Sequence, residues 1–462
     1  MISTFYTMET TGIPKESRLN EFIENPQKSL WKLAIPMMFG MLVQSVYMLT
    51  DTAFIGKWVG PDALAALGYV FPYMFIIMGI TFGLGGGATS VIARYIGKQS
   101  KDLADQSAGQ TILIGVVISV LIVLITLIFK ENIFTIQNAS GQAVDNALAY
   151  FRILSSGSIF MILSMFIRAI LSGEGDNIFP MKVLGAGTVL NIILDPLFIY
   201  FYGMEGAAIA TVISQATVCL IFFYYLAIRK RSYLDLSIKN MFFNAAIIKE
   251  ILVIGIPSSL SMIIMAMGAF VFNIILNSPD AVAAFQTAGR IEHLFFLPII
   301  SISSSLVTLV GMYFGAERFD LIKKIIRYGL KAGVAFSCIS ALLFFSGARY
   351  IIPLFTNSIN IIDISIGYFS IVCFSYPFVT IGMTSSRIMQ GLGYGKPMLI
   401  LTLIRVVLIN APLGWILTRV LELPIVYIWY SILVSSFVAS SLGLLWMRYI
   451  IKIEQRKLTL VT

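Results

Sequence analysis

Charge is scarce in this 462-residue chain: Asp, Glu, Lys and Arg together make up 12% of it, roughly half the share carried by ordinary soluble domains. So few polar groups cannot cover a globular surface of this size, which excludes a cytosolic enzyme and a disordered adaptor. Histidine occurs once, as His293. With it go the His-x-x-x-His metal cluster and the Ser/His pairing of a membrane-embedded hydrolase, so no enzyme and no resident cofactor is expected. Cysteine occurs three times, as Cys219, Cys338 and Cys373, each inside an apolar segment. An odd number so placed excludes a disulfide scaffold and reads as core filler. The first thirty residues carry Glu9, Glu16, Glu21 and Glu24 beside Lys15, Arg18 and Lys28. They contain no apolar run, so they read as a cytoplasmic tail and not as a signal peptide.

What is abundant is apolar surface: 58% of the residues are hydrophobic, and the mean hydropathy is +0.90. A bilayer-spanning helix needs about 20 such residues in a row. Twelve stretches qualify: 32–55, 66–92, 109–129, 146–170, 180–202, 206–228, 248–276, 283–311, 330–348, 364–386, 397–418 and 424–447. The alternation of a barrel strand is absent, so the fold class is an all-α polytopic membrane protein. The net charge of +9 would suggest nucleic acid in a soluble chain. Here, however, 25 of the 32 basic residues fall in the tails and alternate loops on one side, against four on the other. By the positive-inside rule both termini are cytoplasmic, and the partner is the lipid bilayer of the cytoplasmic membrane rather than nucleic acid.

The second half restates the first. Gly60-Pro61-Asp62-Ala63-Leu64-Ala65-Ala66 matches Ser278-Pro279-Asp280-Ala281-Val282-Ala283-Ala284 at a shift of 218. The same shift carries Tyr95-Ile96-Gly97 onto Tyr313-Phe314-Gly315, and Gly173 and Gly175 onto Gly391 and Gly393. Six helices per repeat give both halves the same membrane orientation, the plan of a carrier whose bundles rock about a central site. The expected organisation is a tail (1–31), an N-terminal six-helix bundle (32–228), a cytoplasmic joint (229–248), a C-terminal six-helix bundle (249–450) and a second tail (451–462). Gly83, Gly85, Gly86 and Gly87 lie inside a span and lack the lysine of a phosphate loop, so close helix packing accounts for them.

Only Asp51, Asp195 and Glu292 lie well inside the spans. Each costs about 2.5–3.5 kcal/mol there on insertion scales, so each needs a reason. Arg290 and His293 lie close to Glu292 in sequence, which favours a structural pairing for that acid. No base lies within two turns of Asp51 or Asp195. Asn191 and Asp195 are four apart, and Gln44 and Asp51 seven apart, so each pair shares a helix face. Pro196 has no N–H for the carbonyl of Ile192 and kinks the helix beside the carboxyl. Carboxylate, amide and freed carbonyl make an oxygen cage for a hard cation such as Na⁺. Alternatively, burial disfavours the charged carboxyl, and the same groups carry a proton. Asp51 and Asp195 have no acidic counterparts in the second half, where the matching stretches are Val271-Phe272-Asn273 and Ala411-Pro412. The coupling chemistry is therefore expected in the N-terminal bundle alone.

Asp51-Thr52-Ala53-Phe54-Ile55-Gly56, Gly173-Glu174-Gly175-Asp176, Asn191 through Asp195-Pro196 and Gly206-Ala207-Ala208-Ile209-Ala210-Thr211 together resemble the multidrug and toxic compound extrusion (MATE) family, over residues 28–450. The resemblance implies two six-helix bundles in a V and exchange of Na⁺ or H⁺ for amphipathic organic cations by a monomer. It looks most like the DinF-like and archaeal branch. Carried over, Asp51 and Asp195 become ion-coupling carboxylates, Asn191 and Thr211 polar ligands, and Gln44 and Tyr150 weaker cavity candidates. The NorM-type branch has acids where this chain has Met265 and, near helix 10, Val379, so that branch's ion site is missing. The competing reading is a flippase for a lipid-linked precursor. It would want a basic cavity, and the spans offer few cations: Arg290, Arg405 and, near an end, Arg152.

Overall fold

The computed structural model describes residues 16–135, 142–229 and 231–461, and among these there is no β-strand. A short helix α1 (Leu19–Glu24) leads into α2 (Pro26–Trp58), α3 (Pro61–Gly97), α4 (Lys101–Thr135), α5 (Gln142–Glu174) and α6 (Ile178–Phe223). The second half follows as α7 (Ala245–Leu276), α8 (Pro279–Gly315), α9 (Phe319–Ile351), α10 (Ile359–Val372), α11 (Tyr376–Gly391), α12 (Lys396–Thr402), α13 (Ala411–Trp415) and α14 (Trp429–Val461).

Eleven continuous helical stretches are long and apolar enough to cross a membrane, and the longest, Ile178–Ile228, is two crossings. The chain reverses inside it at Gly203, where φ is 56° and ψ is −131°, a conformation open to glycine. The two arms then close so tightly that a Cβ on Gly206 would stand 2.0 Å from the carbonyl oxygen of Phe198. With this hairpin the described residues hold twelve crossings, all at the places expected. They are longer than expected: a 33-residue helix such as α2 extends about 50 Å, against roughly 30 Å of hydrocarbon. The surplus lies in polar turns beyond the apolar core, which hydropathy cannot see.

The repeat is written into the backbone. Helices α3 and α8 each have 37 residues and a proline in the first turn. Gln99 and Glu317, 218 residues apart, follow them with φ of 57° and 59°, and Gly175 and Gly393 have φ of 88° and 101°. Gly97 and Gly315 meet each other: a Cβ on either would stand 2.1 Å from a carbonyl oxygen, that of Met312 or of Arg94. The two halves thus touch at equivalent residues, as an axis relating them requires. The most extensive helix pair is α3 with α7. There a Cβ on Gly83 would come within 2.2 Å of the Ser259 nitrogen, and one on Gly87 within 2.6 Å of the Ile251 oxygen. The glycine run is a packing surface.

The tail and the joint gain detail, and the reading of one cysteine needs correction. Residues 16–31 are docked: Phe22 is fully buried, the Tyr313 hydroxyl donates to its carbonyl at 2.6 Å, and Arg18 reaches Gly175 O at 2.7 Å and Asp176 at 2.9 Å. Residues before 16 lie outside the described residues. The joint, for its part, is pinned to the first half. Glu174 accepts from the Ser232 hydroxyl and, at 2.8 Å, from the Tyr233 N–H, while Gln110 donates to Phe242 O at 2.7 Å. Finally, Cys338 is exposed on α9, so only Cys219 and Cys373 fill the interior.

Candidate functional site

A cavity of about 170 Å³ runs inside the first half, between α2, α3, α5 and α6. Asp51 reaches it from the last two turns of α2, with its side chain buried. Asp195 lies behind, fully buried at the Pro196 kink of α6, and the two carboxyls are close enough to interact directly. Asn191 Nδ2 donates to Asp195 Oδ1 at 3.0 Å, so the four-residue spacing does place them on one face. Two carboxylates so placed repel each other unless a proton or a metal cation lies between them.

The remaining candidates converge on the same place. Thr211, carried in by the Gly203 hairpin, shares a 3.0 Å hydrogen bond with the Tyr47 hydroxyl. Gln44, Tyr150 and Thr211 all line the cavity, and Tyr150 lies within electrostatic reach of both aspartates. Asp51 Oδ1, Asn191 Oδ1 and Asp195 Oδ2 are buried and have no hydrogen-bond partner. Three unsatisfied acceptor oxygens in one cluster are costly in protein alone. Their chemistry suits a hard cation or a proton.

Sequence reading missed Tyr47, whose signal was available: it stands four residues before Asp51, one turn along the same face. It also missed Ser214, which lines the cavity with its hydroxyl unpaired. It left Arg168 and Arg387 out of the cations it gave to the spans. Both lie within helices, and Arg168 lines the far part of this cavity. Tyr150 and Arg168 are 18 residues apart on α5, about 27 Å along the axis, so the acidic and basic ends are well beyond pairing distance.

Glu292 departs from its expected pairing. It accepts from the Tyr368 hydroxyl at 3.1 Å and from the Tyr376 hydroxyl at 2.6 Å, while Arg290 and His293 are exposed. Neighbours one or two places along a helix point away from each other, so closeness in sequence does not bring the base to the acid. Glu292 ties α8 to α10 and α11 instead.

Comparison with known proteins agrees with this architecture. The family pattern described as MatE matches residues 36–197 and again 257–416, one copy on each half. The chain belongs to the MATE family; it is a multi-pass membrane transporter and not an enzyme. It is 27% identical over 450 residues to a "Probable multidrug resistance protein NorM" of Thermotoga maritima, covering 96% of this chain and 95% of that one. It is 26% identical over 400 residues to "Multidrug export protein MepA" of Staphylococcus aureus, covering 85% and 87%. Among solved structures, a MOP superfamily transporter from Pyrococcus furiosus superimposes with a TM-score of 0.90 at 30% identity, over 97% of this chain and all of that one. A MATE structure described as being in the bent conformation gives 0.91 over 96% and 99%.

Proposed function

We propose that this protein is a secondary-active exporter of amphipathic, chiefly cationic small molecules, driven by inward flow of H⁺ or Na⁺ through alternating access. The observation that carries the reading is the Asp51–Asp195 pair with its unpartnered oxygens beside a cavity whose walls mix Met, Phe and Leu with hydroxyl and amide side chains. One proton or cation relieves the repulsion between the two carboxyls. A cationic solute in the cavity competes for the same negative charge, so ion and solute favour different states, which is the thermodynamic condition for exchange. Asn191 and Thr211 complete the ion's oxygen shell, while Gln44, Tyr47 and Tyr150 line the solute's path. The chain works as a monomer in the cytoplasmic membrane with both termini inside, in keeping with the distribution of its basic residues. The two six-helix halves, joined by 229–248, are its moving parts.

The test is efflux of a fluorescent organic cation from proteoliposomes under an imposed pH gradient or Na⁺ gradient alone. Efflux driven by either one, and lost in both Asp51→Asn and Asp195→Asn, supports the reading. Efflux indifferent to both gradients overturns it.

A further inference from the structure

A second cavity, about 60 Å³, lies between the halves. That is several times the roughly 10–15 Å³ one water requires, and enough for a single small headgroup. Arg168 comes to it from α5 and Arg387 from α11, the fourth and tenth crossings, which the repeat relates. Arg168 stands five residues before Gly173, and Arg387 four before its counterpart Gly391. Each half therefore contributes one guanidinium.

No carboxylate lines this cavity. Arg387 is buried; one of its N–H groups donates to Gln390 Oε1 at 2.8 Å, and its plane lies 4.7 Å from the centre of the Phe82 ring. Gln390 is itself held by Ser258 at 3.0 Å, so the guanidinium is fixed in place with donors to spare. Arg168 makes no hydrogen bond or ion pair to any described residue. The hydroxyl of Ser304, on the α8 wall, is also buried and unpaired. Two cations without counter-charge and a free hydroxyl around one void are arranged for an anion with several acceptor oxygens. We propose that Arg168, Arg387 and Ser304 form an oxyanion-binding site between the halves that takes the phosphate or carboxylate group of an amphiphile. Arg168 and Met165 line both cavities, so the apolar body of such a solute can extend into the first half while its acidic group rests here.

The test is equilibrium binding of dodecyl phosphate to the full chain in phosphatidylcholine nanodiscs, with dodecanol as the uncharged control. No ion gradient is present, so failure of the exchange reading leaves this result untouched. Saturable binding of dodecyl phosphate alone is expected, weakened at least tenfold in Arg168→Gln and in Arg387→Gln. Ser304→Asp, which supplies the missing counter-charge, should abolish binding while raising the Tm; it carries the test where the glutamine variants do not fold. Competition by inorganic phosphate marks a free oxyanion, and competition by phosphatidylglycerol in the disc marks a lipid headgroup. Absent saturable binding, or equal affinity in all three variants, overturns the proposal.

Discussion

Within its spans the first half of this molecule keeps two buried aspartates with oxygens to spare, whereas the second half keeps a half-buried glutamate with none. Around Asp51 and Asp195 three acceptor oxygens lack partners; around Glu292 two tyrosine hydroxyls satisfy both carboxylate oxygens. The halves share helix lengths, proline starts and left-handed turns, so the scaffold came with the duplication and the charges did not. An acid whose hydrogen bonds are complete can hold helices together. An acid left incomplete has capacity for something that comes and goes.

The largest effect that can break this comparison is on exchange. Asp195→Asn should reduce gradient-driven efflux in proteoliposomes by a hundredfold or more, whereas Asn273→Ala, near the place matching Asp51 in the second half, should stay within about twofold. Equal losses would mean that coupling is shared between the halves.

Next is packing. Gly83→Ala places a methyl about 2 Å from the Ser259 backbone and should cost on the order of 1–3 kcal/mol or more. Gly68→Ala meets nothing within 4 Å and should leave the thermal midpoint in detergent unchanged or slightly raised.

A third test concerns Glu292. Tyr376→Phe removes a hydrogen bond to a carboxylate, worth about 1.5–3 kcal/mol, and should lower the thermal midpoint without changing the ion dependence of efflux. A change in that ion dependence would place Glu292 in the coupling machinery.

The smallest effect is expected from Tyr47→Phe, which frees Thr211 Oγ1 from its 3.0 Å partner. Ion affinity, measured by titration of efflux rate, should shift by no more than about tenfold.

The twelve crossings and the shared face of Asn191 and Asp195 were legible beforehand because each rests on local spacing, the repeat because its motifs recur at a fixed shift, and the grouping of Asp51 with them only through the family resemblance. Hydropathy over 20 residues marks a span, i,i+4 spacing marks a face, and proline marks a kink. Arg168 and Arg387 were not legible. Each lies within a turn or two of a helix end, where basic residues ordinarily reach the headgroups, and only the packing of α5 and α11 against α3 and α8 brings both to one cavity. The pairing of Glu292 was misread for a related reason: its partners lie 76 and 84 residues away, beyond any reading of its own helix.

The sequence by itself determined that this chain resides in a membrane, crosses it twelve times and is a duplicated carrier with both mid-span aspartates in one half. Those properties follow from free energies of transfer and from helical periodicity, which act over a few turns. Only the tertiary structure decided which polar groups end without partners. Satisfaction of a buried atom depends on every helix that packs around it, and so the unpartnered aspartate oxygens and the two arginines of one cavity appear only once the helices are assembled.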